Sequence, residues 1–159
     1  MCFLPPVTRE CCKQTGEVSE RQVEVVDTPG LFDTSLPEHS VKREISKCIN
    51  MSAPGPHAFL LVIKVGPFTD EERDAVLQLE QIFGADAWKH TIVLFTHGDA
   101  VGPQLLQEAG PELKAVLKKA GNRFQVFNNA RANDRGQVSI LYLSLYSSLI
   151  CESVLFFIL

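Results

Sequence analysis

The sequence predicts an α/β domain with a mainly parallel sheet, and three observations predict it. The runs His57-Ala-Phe-Leu-Leu-Val-Ile-Lys-Val65 and Thr91-Ile-Val-Leu-Phe95 are almost continuously apolar, as strands are when both faces are covered. Segments with apolar residues at helical spacing lie between such runs. Polar clusters follow three strands directly, at Asp27-Thr-Pro-Gly30, Thr96-His-Gly-Asp99 and Asn128-Asn129. In open parallel sheets, ligands bind beyond the carboxyl ends of the strands.

In chain order, Arg21-Gln-Val-Glu-Val-Val26 is a short strand ended by the Asp-Thr-Pro-Gly turn. Val41, Ile45, Cys48 and Ile49 then mark an amphipathic helix of about three turns, broken at Pro54-Gly-Pro56. After the strand at 57–65, Thr69-Asp-Glu-Glu72 is a capping box, and Val76, Leu79 and Phe83 continue the helix to Gly84. The strand at 91–95 is followed by a third helix from about Gln104 to Ala120, interrupted or restarted at Gly110-Pro111. Lys118 and Lys119 suit its negative end, and Gly121 closes it. Phe124-Gln-Val-Phe127 is the last short strand before Asn128-Asn129.

At 159 residues, with 45% apolar and 21% charged residues, the chain is long enough to bury one core. This composition excludes a disordered tail, a collagen and a basic nucleic-acid-binding arm. A net charge of −4 argues against electrostatic capture of phosphate backbones or anionic membranes. The five cysteines (Cys2, Cys11, Cys12, Cys48 and Cys151) show no C-x-x-C spacing. They predict neither a disulfide framework nor a zinc site, and they suit a reducing cytosol. The four histidines are scattered, and no G-x-S-x-G nucleophile motif occurs. No residue is assigned a catalytic role.

The strand-end clusters suggest nucleotide chemistry. A carboxylate at Asp27, directly after a buried run, can hold a Mg²⁺-bound water, and the Gly30 amide can approach a terminal phosphate. The same four residues also make an ordinary tight turn. Asp99 can accept hydrogen bonds from N1–H and the exocyclic amine of guanine, a donor pair that adenine lacks. His97 can stack on the base or be an exposed loop histidine. Asn128 or Asn129 can contact the base edge or serve as turn chemistry. The three clusters gain weight from their order along the chain.

On these residues the chain resembles the immunity-associated GTPases known as GIMAP or IAN proteins, a group related to septin and Toc GTPases. The resemblance rests on V-V-D-T-P-G-L-F-D-T at Val25 to Thr34 and on E-I-S-K-C-I-N-M-S-A-P-G-P-H-A-F-L-L-V-I at Glu44 to Ile63. F-T-D-E-E at Phe68 to Glu72, I-F-G at Ile82 to Gly84, I-V-L-F-T-H-G-D at Ile92 to Asp99 and F-N-N at Phe127 to Asn129 extend it over about residues 7 to 137. It implies a G domain of the P-loop NTPase fold that binds GTP or GDP with Mg²⁺. Thr8 would be the switch threonine that ligates Mg²⁺, and Asp27 and Gly30 the Mg²⁺-water and γ-phosphate contacts. His97, Asp99 and one of Asn128 and Asn129 would form the base pocket. Gly98 stands where many relatives have lysine, which reduces support under the base. The resemblance also implies immune roles and pairing, with itself or with relatives, through the nucleotide face.

One departure matters most. No G-x-x-x-x-G-K-S/T loop occurs in the chain, and only six residues precede Val7. The expected fold is therefore an incomplete G domain over 1–137, without the first strand and the P-loop. In the usual sheet order that strand is central, so core is expected to be lost with it. Phosphate binding and hydrolysis are expected to be impaired. The alternative is a nucleotide-independent interaction module that pairs with full-length GIMAP proteins.

Residues 138–159 form an apolar tail in which sixteen of 22 residues are apolar, five are Ser and Glu152 is the only charge. It reads as a membrane anchor, as a native last helix, or as intron read-through beginning at Gln137-Val138-Ser139. Its near-uniform apolarity fits an amphipathic helix poorly. The expected location is cytoplasmic, or an intracellular membrane if the tail is an anchor.

Overall fold

The computed structural model of the chain describes residues 10–28, 38–100, 109–146 and 153–158. Six strands form one sheet: β1 (Cys12–Val18), β2 (Arg21–Asp27), β3 (Ala58–Lys64), β4 (Thr91–Thr96), β5 (Phe124–Val126) and β6 (Ser153–Ile158), in the spatial order β1-β2-β6-β3-β4-β5. β1 pairs antiparallel with β2, and every other neighbouring pair is parallel. The carboxyl ends of β2 to β6 consequently line one edge of the sheet. The helices are α1 (Glu38–Met51), α2 (Asp70–Phe83), α3 (Pro111–Lys119) and α4 (Gly136–Tyr146).

The covered runs behave as their composition demands. In β4 the residues Thr91 to Phe95 are all buried, and in β3 Ala58 to Leu61 are buried. Alternate residues serve opposite faces. Phe59, Leu61 and Ile63 of β3 join Val93 and Phe95 of β4 and Val26 of β2 in a core with Val76 and Leu79 of α2 and Leu113, Val116 and Leu117 of α3. On the other face Ala58, Leu60, Ile92 and Val23 pack with Leu141 and Tyr142 of α4. Trp88, in a 3-10 turn at Ala85–His90, enters the larger core, and its indole N–H donates to Glu80 Oε1 at 2.7 Å. Lys119 donates to the same oxygen at 2.5 Å and holds that carboxyl below its ordinary range, which ties α2 to α3.

The capping box is formed. Glu72 N–H donates to Thr69 Oγ1 at 3.2 Å, and Thr69 N–H donates to Glu72 Oε2 at 3.0 Å. α3 starts at Pro111, whose missing N–H costs nothing at a first helical position. Gly121, at φ +61°, turns the chain out of it. The part of the third helix expected at 104–108 lies outside the described residues.

Four features go beyond the sequence reading, and one of them, the disulfide, corrects it. β1 was not anticipated, because Cys-Lys-Gln-Thr-Gly-Glu-Val carries no apolar alternation; it is an edge strand with Lys13 to Glu17 exposed. Cys11 and Cys48 are joined by a disulfide with Cα atoms 5.6 Å apart, although no short spacing announces it; α1 and the chain before β1 bring together residues 37 apart. A helix does follow residue 135. α4 is apolar on most sides, with Leu141 and Tyr142 buried while Ile140 and Leu143 are exposed, so helical periodicity could not reveal it. The central sheet position, where the resemblance would put the missing first strand, holds β6. Its run Val-Leu-Phe-Phe-Ile lacks charge and can lie between two strands. Residues 138–159, read from composition as a segment apart, thus supply most of α4 and all of β6. Among the described residues no helix is long and apolar enough to cross a membrane.

Candidate functional site

The carboxyl edge gathers the polar clusters named from the sequence. Asp27 ends β2, His97 and Asp99 follow β4, and Asn128 and Asn129 follow β5. Thr8 and Gly30 lie outside the described residues. From β2 to β4 the sheet takes three strand steps through β6 and β3, about 14 Å. The edge is therefore wider than a single base and comparable to an extended nucleotide.

At the β4–β5 end the side chains and backbone form a closed network. Phe127 N–H donates to Phe95 O at 2.7 Å and Gly98 N–H to Phe127 O at 2.9 Å, which extends the β4–β5 pairing into the loops. His97 N–H donates to Asn129 Oδ1 at 2.6 Å, and Asn129 N–H donates to Asp99 Oδ1 at 2.8 Å. His97 sits at φ 60°, a left-handed conformation that costs a side-chain-bearing residue roughly 1 kcal/mol, and the Asn129 bond helps to hold it there. Its exposed ring has Nδ1 3.2 Å from Thr96 Oγ1.

The Asp99 carboxyl is held below the usual carboxylate range. The Asn129 N–H is the largest cause, followed by its own N–H; the Ala130 N–H and the His97 charge add to these and outweigh desolvation. The group is therefore an anion at neutral pH. It is exposed, and a carboxylate has about four acceptor positions, so bonds to backbone amides leave it able to accept from a ligand.

The two asparagines have separate roles. Asn128 Oδ1 accepts from Arg131 N–H at 3.1 Å and caps the short 3-10 turn Asn129–Arg131. Asn129 bridges His97 and Asp99.

Two residues of this network were not named as site residues. Gln137, the second residue of α4, accepts from Asn128 N–H at 2.6 Å and donates through Nε2 to Asn128 O at 3.3 Å and Arg131 O at 3.0 Å. Nothing in the sequence points to it, because a glutamine near a helix start is ordinary. Val126 packs so close to Gly98 that a Cβ there would meet Val126 Cγ1 at 2.2 Å and Phe127 O at 3.2 Å. The glycine noted as standing where many relatives have lysine is thus matched to its neighbour on β5.

The other end of the edge is less elaborated. Asp27 is half-buried, in register with Ile158 of β6. Beyond them, Lys64 at the end of β3 is exposed, and its N–H donates to Glu72 Oε1 at 3.2 Å. Among the described residues no group of three His, Cys, Asp or Glu is arranged to hold a metal ion.

Residues 2–143 match the model of the AIG1 family. The human protein named GTPase IMAP family member 8 is 36% identical over 136 residues, covering 84% of this chain and 20% of that protein. Two Arabidopsis thaliana proteins are similar at the same level. Immune-associated nucleotide-binding protein 5 is 35% identical over 136 residues, covering 80% of this chain and 45% of its own length. Immune-associated nucleotide-binding protein 9 is 38% identical over 114 residues, covering 67% and 33%. The chain spans less than half the length of each of these relatives.

Proposed function

The chain belongs to the AIG1 family, the GIMAP and IAN proteins, and from that membership we propose that it is a guanine-nucleotide-binding protein of the GIMAP type with impaired phosphate binding and hydrolysis. The observation that carries this reading is the His97–Asn129–Asp99 network, which presents an ionised, exposed carboxylate beside a backbone-braced loop. Guanine offers two adjacent donors to such a group, whereas adenine leaves the carboxylate unpaired on that side. Asn128 and Asn129 complete the base end in this reading.

At the phosphate end, Asp27 offers one carboxylate. That fits Mg²⁺, which keeps most of its ligands as water and phosphate and needs only one or two protein carboxylates. Asp27, with Thr8, would hold the ion, whose chemistry there is neutralisation of phosphate charge. The impairment in this reading is supported by the absence of a G-x-x-x-x-G-K-S/T pattern from these 159 residues, since the amides and lysine of that loop are what cradle β- and γ-phosphates. The centre of the edge is instead the end of β6, Phe157-Ile158. This second observation favours the rival reading, in which the chain pairs with GIMAP relatives through its nucleotide face and needs no nucleotide.

Calorimetric titration of the 159-residue chain with GDP, GTP and ATP in Mg²⁺ separates the two. Weak guanine-nucleotide binding without γ-phosphate preference, lost at least tenfold in Asp99→Asn, is the expected outcome. No guanine-nucleotide binding, or binding indifferent to Asp99→Asn, would leave the interaction module as the better account. Micromolar, Mg²⁺-dependent GTP affinity would contradict the impairment.

A further inference from the structure

The outer edge of β1 faces away from β2, and no strand pairs with it among the described residues. Edge strands that stay single are usually blunted by proline, by a bulge or by charge. β1 contains no proline, and its register with β2 runs without a break from Cys12↔Asp27 to Val18↔Arg21. Its only charges are Lys13 and Glu17, and these lie symmetrically, each two residues from Thr15.

That symmetry fits a particular partner. If a second copy of the chain added its own β1 antiparallel about Thr15, Lys13 of each copy would face Glu17 of the other, twice over. Cys12 would face Val18, and Gln14 would face Gly16. Directly opposite charges of unlike sign support a strand pair, and like charges disrupt it. Glu17 forms no ion pair among the described residues, while Lys13 already reaches Glu24 at 2.9 Å, so the pairing would place Lys13 between two carboxylates.

A second feature lies on the same edge. A groove of about 560 Å³ runs along β1 and β2, lined by Gln14, Val18, Val23 and Val25, with Val138 of α4 on its far wall. Val138 is 43% exposed there. A two-fold axis perpendicular to the sheet keeps this face on the same side in both copies, so the two grooves would meet at the seam.

We propose that two copies of this chain associate edge to edge through antiparallel pairing of β1 about Thr15, with Lys13 and Glu17 as the charge code that selects self over other edges. The seam follows the outer edge of β1, far along the sheet from His97, Asp99, Asn128 and Asn129, while the groove reaches Asp27 at the end of β2; the pairing itself uses only β1 groups and so requires no nucleotide.

The test is a charge-reversal cycle on the full chain, read by sedimentation equilibrium without nucleotide. Wild type is expected to dimerise. Glu17→Lys sets lysine against Lys13 of the other copy and is expected to weaken the dimer at least tenfold. Lys13→Glu combined with Glu17→Lys restores opposite charges in reversed order and is expected to recover most of the affinity. Circular dichroism checks that each variant is folded, and Glu17, being exposed, is a mild site to change. In a Cys12→Ser background, Thr15→Cys should cross-link to itself under mild oxidation. A wild-type monomer at all accessible concentrations would overturn the proposal. So would a dimer indifferent to Glu17→Lys, or one that forms only with guanine nucleotide, which would belong to the nucleotide face.

Discussion

The two ends of the carboxyl edge are built on different principles. At the β4–β5 end, four hydrogen bonds join Phe95 to Phe127, Phe127 to Gly98, His97 to Asn129 and Asn129 to Asp99, so each polar group is positioned by a backbone N–H donor. At the β2–β6–β3 end, an apolar strand from the far end of the chain lies between two segments that are adjacent to each other in sequence order. The first end is braced by hydrogen bonds between two loops whose residues are about 30 apart in sequence. The second depends on one long-range insertion. In the function proposed above, base recognition would draw on the fixed donors and acceptors of the first arrangement, whereas phosphate binding would need a loop of converging amides, which an apolar strand end does not supply.

The largest expected effect comes from the second region. Among the described residues β2 and β3 are not hydrogen-bonded to each other, so within the sheet β6 alone joins β1-β2 to β3-β4-β5. Phe156 is in register with both Val25 and Ala58. Phe156→Pro removes a ladder donor from a central strand, where proline is hardly ever found. It should cost more than about 4 kcal/mol, the range seen when buried networks are broken. Urea denaturation followed by circular dichroism measures it. A variant of near wild-type stability would mean that the sheet does not rely on β6, and the contrast between the two ends would collapse.

A smaller effect sharpens the first region. Gly98→Ala places a Cβ against Val126 Cγ1, and overpacking of this kind costs typically 1–3 kcal/mol. Val126→Ala in the same chain removes the obstructing atom, so the double variant should be more stable than the Gly98→Ala and Val126→Ala costs summed. Additive costs in that cycle would show that Gly98 and Val126 are not coupled.

The same contrast decides what was legible in the sequence. β3, β4 and the capping box at Thr69 and Glu72 were readable because local composition determines them. The clusters at Asp27, His97-Asp99 and Asn128-Asn129 were readable because polar residues directly after buried strands are conspicuous. β1 was not, since an edge strand exposed from Lys13 to Glu17 has no pattern to detect. α4 and β6 were hidden together: the run from Val138 to Leu159 is so evenly apolar that neither a period of 3.6 nor a turn residue such as Gly or Pro divides it. The insertion of β6 between β2 and β3 is a long-range pairing, and long-range pairing leaves no local trace. The disulfide between Cys11 and Cys48 was missed for the same reason.

Gln137 links the two regions and gives the smallest expected effect. It sits near the start of α4, the helix that precedes β6, and its side chain clamps the backbone of Asn128 and Arg131 beside the candidate base pocket. Gln137→Ala removes an acceptor for the half-buried Asn128 N–H, at a cost of about 1 kcal/mol, the usual net worth of one intramolecular hydrogen bond. The loss should be local. Hydrogen exchange at the Asn128 amide is expected to accelerate about fivefold, while the amides of β4 keep their protection. If β4 and β6 lost protection together with Asn128, Gln137 would be transmitting the state of the inserted strand to the base end, and the two regions would unfold as one unit. If only Asn128 responds, the base end is braced independently of how the centre of the sheet is filled.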